Sequence, residues 1–251
     1  MAETREVTAA VLVIGNEILS GRTRDANLQY LATGLGEVGV RLREARVVSD
    51  DHAAIVAAVN ALRATYDYVF TTGGIGPTHD DITSAAVAAA FGLPLVRHPG
   101  AETRLRGHYR PEDVNAARLR MAEMPEGADL IDNPISLAPG YRIGNVFVLA
   151  GVPRVMQAMF DGIKHRLAGG PPVLSRSLPL FVPEGAVAAG LAEVQARHRG
   201  VDIGSYPFFR HERFGTVIVA RGTDADAIAD AIADIRALAM SLGAEIGDEA
   251  S

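Results

Sequence analysis

The sequence predicts an α/β fold with a mostly parallel sheet, followed by a small α+β subdomain. Over residues 7–91, apolar runs of strand length alternate with amphipathic helical stretches in the order β-α-β-α-β-α, with short connections. This alternation is typical of parallel strands joined by right-handed helical crossovers. Residues 168–172 read Ala-Gly-Gly-Pro-Pro, a composition typical of a linker, and the pattern changes after them. We therefore expect one domain over residues 1–168 and a subdomain over residues 177–243.

Charge and composition narrow the class of protein. The 251 residues carry a formal net charge of −6, which argues against a nucleic-acid binder. The chain contains no cysteine, so disulfides, thiolate metal sites and a cysteine nucleophile are excluded. No apolar run approaches the roughly 20 residues of a membrane span, and the first residues are polar rather than signal-like. We expect a cytoplasmic protein without a membrane or nucleic-acid partner.

The first strand and helix are marked by a clear change of periodicity. Residues 7–14 form an unbroken apolar run, typical of a strand covered on both faces. A polar loop with Asn16 and Glu17 follows, at the strand end where open α/β sheets bind ligands. Apolar residues at three- and four-residue steps then predict a helix that begins near Asp25 and Asn27. Asp25 is placed to cap this helix.

The next two strand-helix units repeat the pattern. A strand over 40–48 leads to Asp50 and Asp51, which are suited to cap the following helix. Because Asp50 ends a strand, a position facing the ligand site stays open for it. A third strand over 66–72 runs into a glycine-rich turn, and the helix after that turn stops at Gly92.

The glycine-rich turn is the strongest functional signal. Gly73, Gly74 and Gly76 fall within four residues directly after a buried-type strand. Glycine lets a ligand approach the backbone and adopts positive φ without strain. Thr78 and Asp81 have the spacing of a capping box, which predicts that a helix begins at Thr78. A strand, a glycine loop and a helix N-terminus in succession are typical of a phosphate-binding site.

Two adjacent carboxylates complicate a pure anion site. Asp80 and Asp81 lie where a phosphate would also be attracted, and like charges repel. A divalent cation resolves the conflict, since Mg²⁺ is commonly held by one or two carboxylates together with phosphate oxygens. The alternative is that both aspartates only complement a helix dipole. His79, between Thr78 and Asp80, is placed either to donate to a phosphate or to face solvent.

Beyond Gly92 the sequence pattern for helices and strands is at first weaker and then becomes clear again. Up to residue 131 the sequence predicts two short strands, over 93–96 and 128–131, and between them two helices, over 101–109 and 112–121. A turn-rich stretch over 132–141 follows. After it come a strand over 145–150 and a helix opened by Pro153. For the subdomain it predicts strands over 177–182, 201–206 and 214–221 with a turn near Pro207, and helices over 184–197 and 223–242, the last opened by a capping box from Thr223 to Asp226.

These motifs together resemble the molybdopterin-binding (MoaB/Mog) domain family, in particular the branch typified by the amino-terminal part of competence/damage-inducible protein A (CinA). The resemblance covers roughly residues 7–167. It rests on the stretch 15–21 with Asp25 and Asn27, the stretch 71–83, and the motifs Asn133-Pro134, Ala138-Pro139-Gly140 and Gly151-Val152-Pro153.

The resemblance implies a mostly parallel sheet between two layers of helices, and assembly into dimers or trimers. It implies that Asn16, Asp25, Asn27, Thr78, Pro139 and Gly140 join the glycines in binding the ligand. Many relatives have Asp where this chain has Asn16, which leaves Glu17, Asp80 and Asp81 as the expected metal ligands and catalytic groups.

Two activities are associated with the family. Molybdenum-cofactor members bind a pterin phosphate, and some adenylylate it. The CinA-like branch is associated with metal-dependent hydrolysis of ADP-ribose-like or FAD-like pyrophosphates, and Gly204-Ser205-Tyr206-Pro207 resembles the extra subdomain of that branch. The favoured interpretation is a Mg²⁺-, Mn²⁺- or Co²⁺-dependent hydrolase of a nucleotide diphosphate. The alternatives are a molybdopterin-binding protein, with or without adenylyl transfer, and a non-catalytic nucleotide sensor.

Overall fold

The computed structural model describes residues 5–210 and 213–249. The chain divides into two compact units, the first ending at Gly170 and the second beginning at Pro171. Within the described ranges, no helix combines the length and the apolar character needed to cross a membrane.

The first unit contains eight strands and seven α-helices in the described residues. The strands are β1 (Val7–Ile14), β2 (Val40–Val48), β3 (Tyr68–Thr72), β4 (Leu95–Arg97), β5 (Glu123–Pro125), β6 (Asp129–Ile131), β7 (Gly140–Ile143) and β8 (Val146–Leu149). The helices are α1 (Asn16–Leu19), α2 (Asn27–Glu37), α3 (His52–Thr65), α4 (Thr83–Phe91), α5 (Pro99–His108), α6 (Ala116–Arg120) and α7 (Pro153–Ile163), with 3-10 turns at Pro111–Asp113 and Lys164–Arg166.

Six of these strands form one mixed sheet in the order β2-β1-β3-β8-β7-β6. β2, β1, β3 and β8 are parallel, whereas β7 is antiparallel to both of its neighbours. The mostly parallel sheet predicted from the sequence is therefore confirmed. The chain leaves β1 for β2 on one side and returns to β3 on the other, so the strand order reverses between β1 and β3. Open α/β sheets bind ligands beyond the carboxyl ends of the strands at such a point.

Helices cover both faces of the sheet, which gives the expected three layers. Alternate residues of β1 point to opposite faces. Leu12 and Ile14 pack into a buried cluster with α3, α4 and α5. Val11 and Val13 pack with α2 and α7, where Phe160 meets Phe70 edge-on at 5.7 Å between ring centroids. Burial on both faces explains why the sequence of β1 is an unbroken apolar run.

Three local predictions for the first unit are corrected. Helix α4 begins at Thr83, not at Thr78, because the Thr83 backbone N–H donates to the Gly74 carbonyl at 3.0 Å and so sets the first turn there. Strand β5 is missed, because its sequence Glu-Met-Pro contains no β-branched or aromatic residue that would indicate a strand. Strand β7 begins inside the stretch predicted as a turn; the turn itself is shorter and is closed by Asn133, whose amide nitrogen donates to the Ala138 carbonyl at 2.8 Å.

The second unit is an antiparallel sheet with two helices. Its elements are β9 (Leu174–Leu180), α8 (Glu184–Arg197), β10 (Asp202–Arg210), β11 (Arg213–Gly222) and α9 (Ala225–Ser241). The strand order is β10-β11-β9, and residues of one sheet face, such as Leu178 and Ile218, share a buried cluster with both helices. The β-α-β-β-α order predicted from the sequence is confirmed.

The turn predicted near Pro207 is wrong. Pro207 lies inside β10 and pairs with Thr216 of β11. β10 is an edge strand, and in the middle of a regular strand a residue without a backbone N–H is tolerated at such an edge. Proline indicates a turn from composition alone, but at this position on the edge of the sheet it fits within a strand.

The cap of α9 is also one residue later than predicted. The Asp224 carboxylate accepts from the backbone N–H groups of Asp226 at 2.9 Å and Ala227 at 3.2 Å. We expect Asp224→Ala to lower the free energy of unfolding by about 1 kcal/mol, because two helix N–H groups lose their acceptor. Thr223→Ala, the matched change at the predicted cap, should leave stability nearly unchanged. Urea denaturation of both variants checks this, and the opposite ranking would contradict the assignment of the cap.

Candidate functional site

A cavity of about 470 Å³ opens beyond the carboxyl ends of β1, β3 and β8. The loop after each of these strands contributes to its walls: Glu17 after β1, Gly74 after β3 and Gly151 after β8. The turn that contains Asn133 and Ser136 completes the walls. This is the position that the reversal of strand order predicts for a ligand site.

The glycine turn forms the floor of the cavity and requires glycine at two positions. Gly73 has φ 101°, and a Cβ there would lie 2.2 Å from the Ile14 carbonyl oxygen. Gly74 has φ 68°, and a Cβ there would lie 2.1 Å from the Thr83 hydroxyl. The Thr83 hydroxyl also donates to the Gly73 carbonyl at 2.9 Å, which ties the turn to the start of α4.

The backbone N–H groups of the turn are not equivalent. That of Gly73 donates to the Leu149 carbonyl at 3.3 Å and is therefore not available to a ligand. The N–H groups of Gly74 and Gly76 donate to no acceptor in the described residues. The motif predicts that all three glycines bind the ligand through the backbone. The structure leaves only the N–H groups of Gly74 and Gly76 for that contact, since the Gly73 N–H joins the end of β3 to β8.

The two adjacent aspartates are drawn together by one threonine. The Thr78 hydroxyl lies 2.6 Å from a carboxylate oxygen of Asp80 and 2.5 Å from one of Asp81, and the Thr78 backbone N–H donates to Asp81 at 2.8 Å. Thr78 itself does not line the cavity, whereas both aspartates do. Because α4 begins at Thr83, these carboxylates lie in a loop and not in the first turn of a helix. Neither carboxylate caps α4, because their hydrogen-bond partner is Thr78 and the helix has no side-chain cap.

The hydroxyl of Thr78 also lowers the pKa of Asp80. The Thr78 hydrogen bond is the main cause that lowers the pKa of Asp80 below its ordinary value. We expect Thr78→Val to raise that pKa, because the charged form loses its donor. A lowered folded-state pKa contributes stability above the unfolded pKa, and this contribution is lost as pH falls through the folded value. Titration of the carboxyl carbons by NMR checks the shift; an unchanged Asp80 pKa in the variant would contradict it.

Two more carboxylates face the cavity from its other wall. The Glu17 carboxylate lies directly over Gly15, where a Cβ would meet it, and this carboxylate makes no hydrogen bond or ion pair within residues 5–210 and 213–249. The Glu17 backbone carbonyl accepts from the Ser20 hydroxyl at 3.3 Å. Asp50 lines the cavity while one of its oxygens accepts from the Asn16 backbone N–H at 2.8 Å. The sequence leaves open whether Asp50 faces the ligand site. The feature that indicates this is its position at the end of a parallel strand.

The cavity is strongly acidic. Four carboxylates line it, those of Glu17, Asp50, Asp80 and Asp81, and the described lining residues include no Lys, Arg or His. His79 does not contribute, because its side chain is 97% exposed. A phosphorylated ligand bound here therefore needs a cation between its own charge and that of the protein.

The donor atoms fit a hard divalent ion. Carboxylate oxygens are the ligands that Mg²⁺ and Mn²⁺ prefer. Across the described part of the chain, no three Asp, Glu, His or Cys side chains converge closely enough to hold an ion by themselves. The site thus offers one or two carboxylates at a time, the number with which Mg²⁺ is bound alongside phosphate oxygens.

The remaining residues expected at the site lie in three places. Asp25 and Asn27 line a small side pocket next to the cavity; Asp25 accepts from the Leu28 backbone N–H at 2.9 Å, the capping role predicted for it. Asn16 contributes its backbone N–H to Asp50, and its side chain is not part of the lining. Pro139 and Gly140 are buried away from the lining. Gly140 is required for packing, because a Cβ there would lie 2.3 Å from the Val148 carbonyl oxygen.

The fold and the site define a doubly wound α/β domain with an acidic, glycine-floored cavity at the switch point of its sheet. A family model described as a probable molybdopterin binding domain matches residues 10–169, more than half of the chain. The chain belongs to this family, which confirms the resemblance inferred from its motifs. A second model, described as the FAD synthase middle domain, matches residues 172–243.

Individual relatives agree with this assignment. A CinA-like protein of Syntrophus aciditrophicus is 36% identical over 86% of this chain and 54% of its own length. A protein named as a probable FAD synthase of Caenorhabditis briggsae is 31% identical over 88% of this chain and 47% of its own length. The chain thus spans about half the length of these two relatives. The crystal structure of CinA from Thermoplasma acidophilum, titled as of unknown function, is 34% identical, covers 63% of this chain and 96% of that one, and superposes with a TM-score of 0.60.

Proposed function

We propose that the chain is a metal-dependent hydrolase of nucleotide diphosphates of the ADP-ribose or FAD type. The observation that carries the proposal is the cavity itself, where free backbone N–H groups of Gly74 and Gly76 lie beside four carboxylates without a lining Lys, Arg or His in the described residues. Such a cavity suits a diphosphate that is bound together with a divalent ion. The likeness to probable FAD synthases supports a nucleotide as the ligand.

Each group has a defined part in the proposed reaction. Asp80 and Asp81 would hold the ion, since Glu17 does not converge with them closely enough to be a third ligand; the bound ion would neutralise phosphate charge and acidify a water molecule. The N–H groups of Gly74 and Gly76 donate to the diphosphate oxygens and fix its position. The carboxylate of Glu17, which has no hydrogen-bond partner in the described residues, accepts the proton that the water loses. The water oxygen bonds to one phosphorus, the bridging P–O bond breaks, and two phosphate monoesters leave.

The test is an assay of the purified chain against ADP-ribose, FAD, NAD and ATP, each with Mg²⁺, Mn²⁺ or Co²⁺. We expect cleavage of ADP-ribose or FAD at the diphosphate, loss of activity on chelation, and recovery when the ion is restored. Absence of turnover for all four compounds with every ion would overturn the proposal. Nucleotide binding without turnover would instead identify a sensor.

The second candidate is a molybdopterin-binding protein, with or without adenylyl transfer. It is favoured by the match of residues 10–169 to the probable molybdopterin binding domain. The same glycine turn would then hold the pterin phosphate. Tight binding of a phosphorylated pterin, together with no cleavage of free diphosphates, would establish this function in place of hydrolysis.

Assembly and location belong to the same proposal. We expect a homodimer or homotrimer in the cytoplasm, with a small phosphorylated metabolite as the partner of the site. Light scattering coupled to size-exclusion chromatography checks the subunit number, and a monomer at micromolar concentration would contradict it.

A further inference from the structure

A side pocket of about 40 Å³ adjoins the main cavity and shares Ile14, Glu17 and Gly151 with it. Its buried wall is formed by Asn27 of α2 and Thr72 of β3, and the exposed side chain of Arg24 also lines it. The space is large enough for one small polar group and too small for a ring. A ligand in the main cavity can therefore place a substituent there, but not its base or its pterin.

The two wall residues carry unpaired oxygens. Asn27 is 4% exposed and Thr72 is 1% exposed. The Asn27 amide nitrogen donates to the Gly151 carbonyl at 2.8 Å, which fixes the orientation of the amide and leaves Oδ1 as an acceptor. Neither Asn27 Oδ1 nor Thr72 Oγ1 has a hydrogen-bond partner in the described structure. Burying such a group without a partner destabilises the protein, so its presence beside a ligand cavity needs a reason.

We propose that the side pocket is a subsite for a hydrogen-bond donor, a hydroxyl or amino group, on the ligand of the main cavity. Asn27 Oδ1 accepts from this group, and the Thr72 hydroxyl accepts from it or donates to it. The subsite rests on the proposed function only in placing a phosphorylated ligand in the main cavity. A ribose hydroxyl and a pterin amino group share the required chemistry, and a bare diphosphate lacks it.

Thr71 provides a matched control. Its side chain is also buried, at 0% exposure, and its hydroxyl also has no partner. Because successive residues of a strand point to opposite faces, however, Thr71 lines neither the main cavity nor the side pocket. Thr71→Val and Thr72→Val remove the same unpaired hydroxyl while keeping a β-branched side chain. Both should raise Tm by about 2–4 °C, because an unsatisfied polar group is replaced by an apolar one. Only Thr72→Val should weaken the binding of a ligand that carries a donor.

Calorimetric titration with α,β-methylene ADP-ribose, which cannot be cleaved, reads binding separately from turnover. We expect Thr72→Val to weaken this binding about tenfold, Thr71→Val to leave it unchanged, and inorganic pyrophosphate to bind both variants like the wild type. If the wild type binds only a phosphorylated pterin, the proposed hydrolase is wrong, and the same comparison is made with the pterin. Equal affinity of Thr72→Val and wild type for the bound probe would overturn the subsite. A wild type that binds neither probe contradicts both proposals.

Discussion

Asp81→Asn is expected to lower the rate of ADP-ribose hydrolysis at least about a hundredfold without unfolding the protein. Asp81 is the acid of the loop that is held by two contacts from Thr78, one from the backbone N–H at 2.8 Å and one from the hydroxyl at 2.5 Å. An asparagine oxygen can still accept from the backbone N–H, so the loop keeps its shape. What is lost is one negative charge in the cavity, and with it the attraction for a divalent ion.

Activity is measured as a function of Mn²⁺ concentration, with circular dichroism and Tm recorded for each variant. Asp81→Asn should also need a higher Mn²⁺ concentration than the wild type to reach half of its maximal activity, because the variant holds the ion less tightly. Asp113→Asn is the control: it removes one charge outside the cavity, where Asp113 pairs with Arg118 at 3.4 Å, and should leave both values unchanged. Wild-type activity in a folded Asp81→Asn variant would remove this carboxylate from the mechanism.

Gly73→Ala is expected to lower the free energy of unfolding by more than about 3 kcal/mol. The alanine Cβ would lie 2.2 Å from the Ile14 carbonyl oxygen, and the φ of 101° is strained for any residue with a Cβ. The obstructing atom belongs to the backbone of the central strand β1, so it cannot move aside without breaking the sheet. The substitution therefore damages the core and the cavity floor together.

Gly107→Ala is the control for this second prediction. Gly107 lies in α5, where a Cβ would meet no atom within 4 Å. Because alanine favours the helix over glycine, this variant should be as stable as the wild type or more stable by up to about 1 kcal/mol. Chemical denaturation of both variants gives the comparison. A Gly73→Ala protein with wild-type stability would show that the turn does not approach β1 as closely as described.

The elements that could be predicted are those whose signal is local. The bounds of β1 follow from an uninterrupted apolar run and those of α8 from a regular helical stripe, and the structure confirms both. The bounds of β2, whose apolar residues alternate with charged ones over most of its length, are confirmed as well. The wrong predictions concern elements whose structure is decided by contacts outside the local stretch of sequence. The start of α4 is decided by the contact between Thr83 and the glycine turn, and Pro207 fits within β10 because that strand lies at an edge.

The site shows the same division between local and distant information. The glycines and the acid pair were visible as a short motif, and the structure brings Asp80, Asp81 and Glu17 to one cavity. Asp50 is separated from them in sequence and reaches the cavity only through the pairing of β2 with β1. The importance of Asn27 was attributed to its motif, but its unpaired oxygen is a property of burial, which no sequence pattern states.

The contact between the Gly74 carbonyl and the Thr83 N–H, at 3.0 Å, closes the intervening segment into a loop whose two ends touch. Strain or insertion within such a loop is not transmitted to the strands, since both ends are already fixed to each other. A shift of residues 75–82 would therefore carry Gly76, Asp80 and Asp81 together while the sheet stays intact.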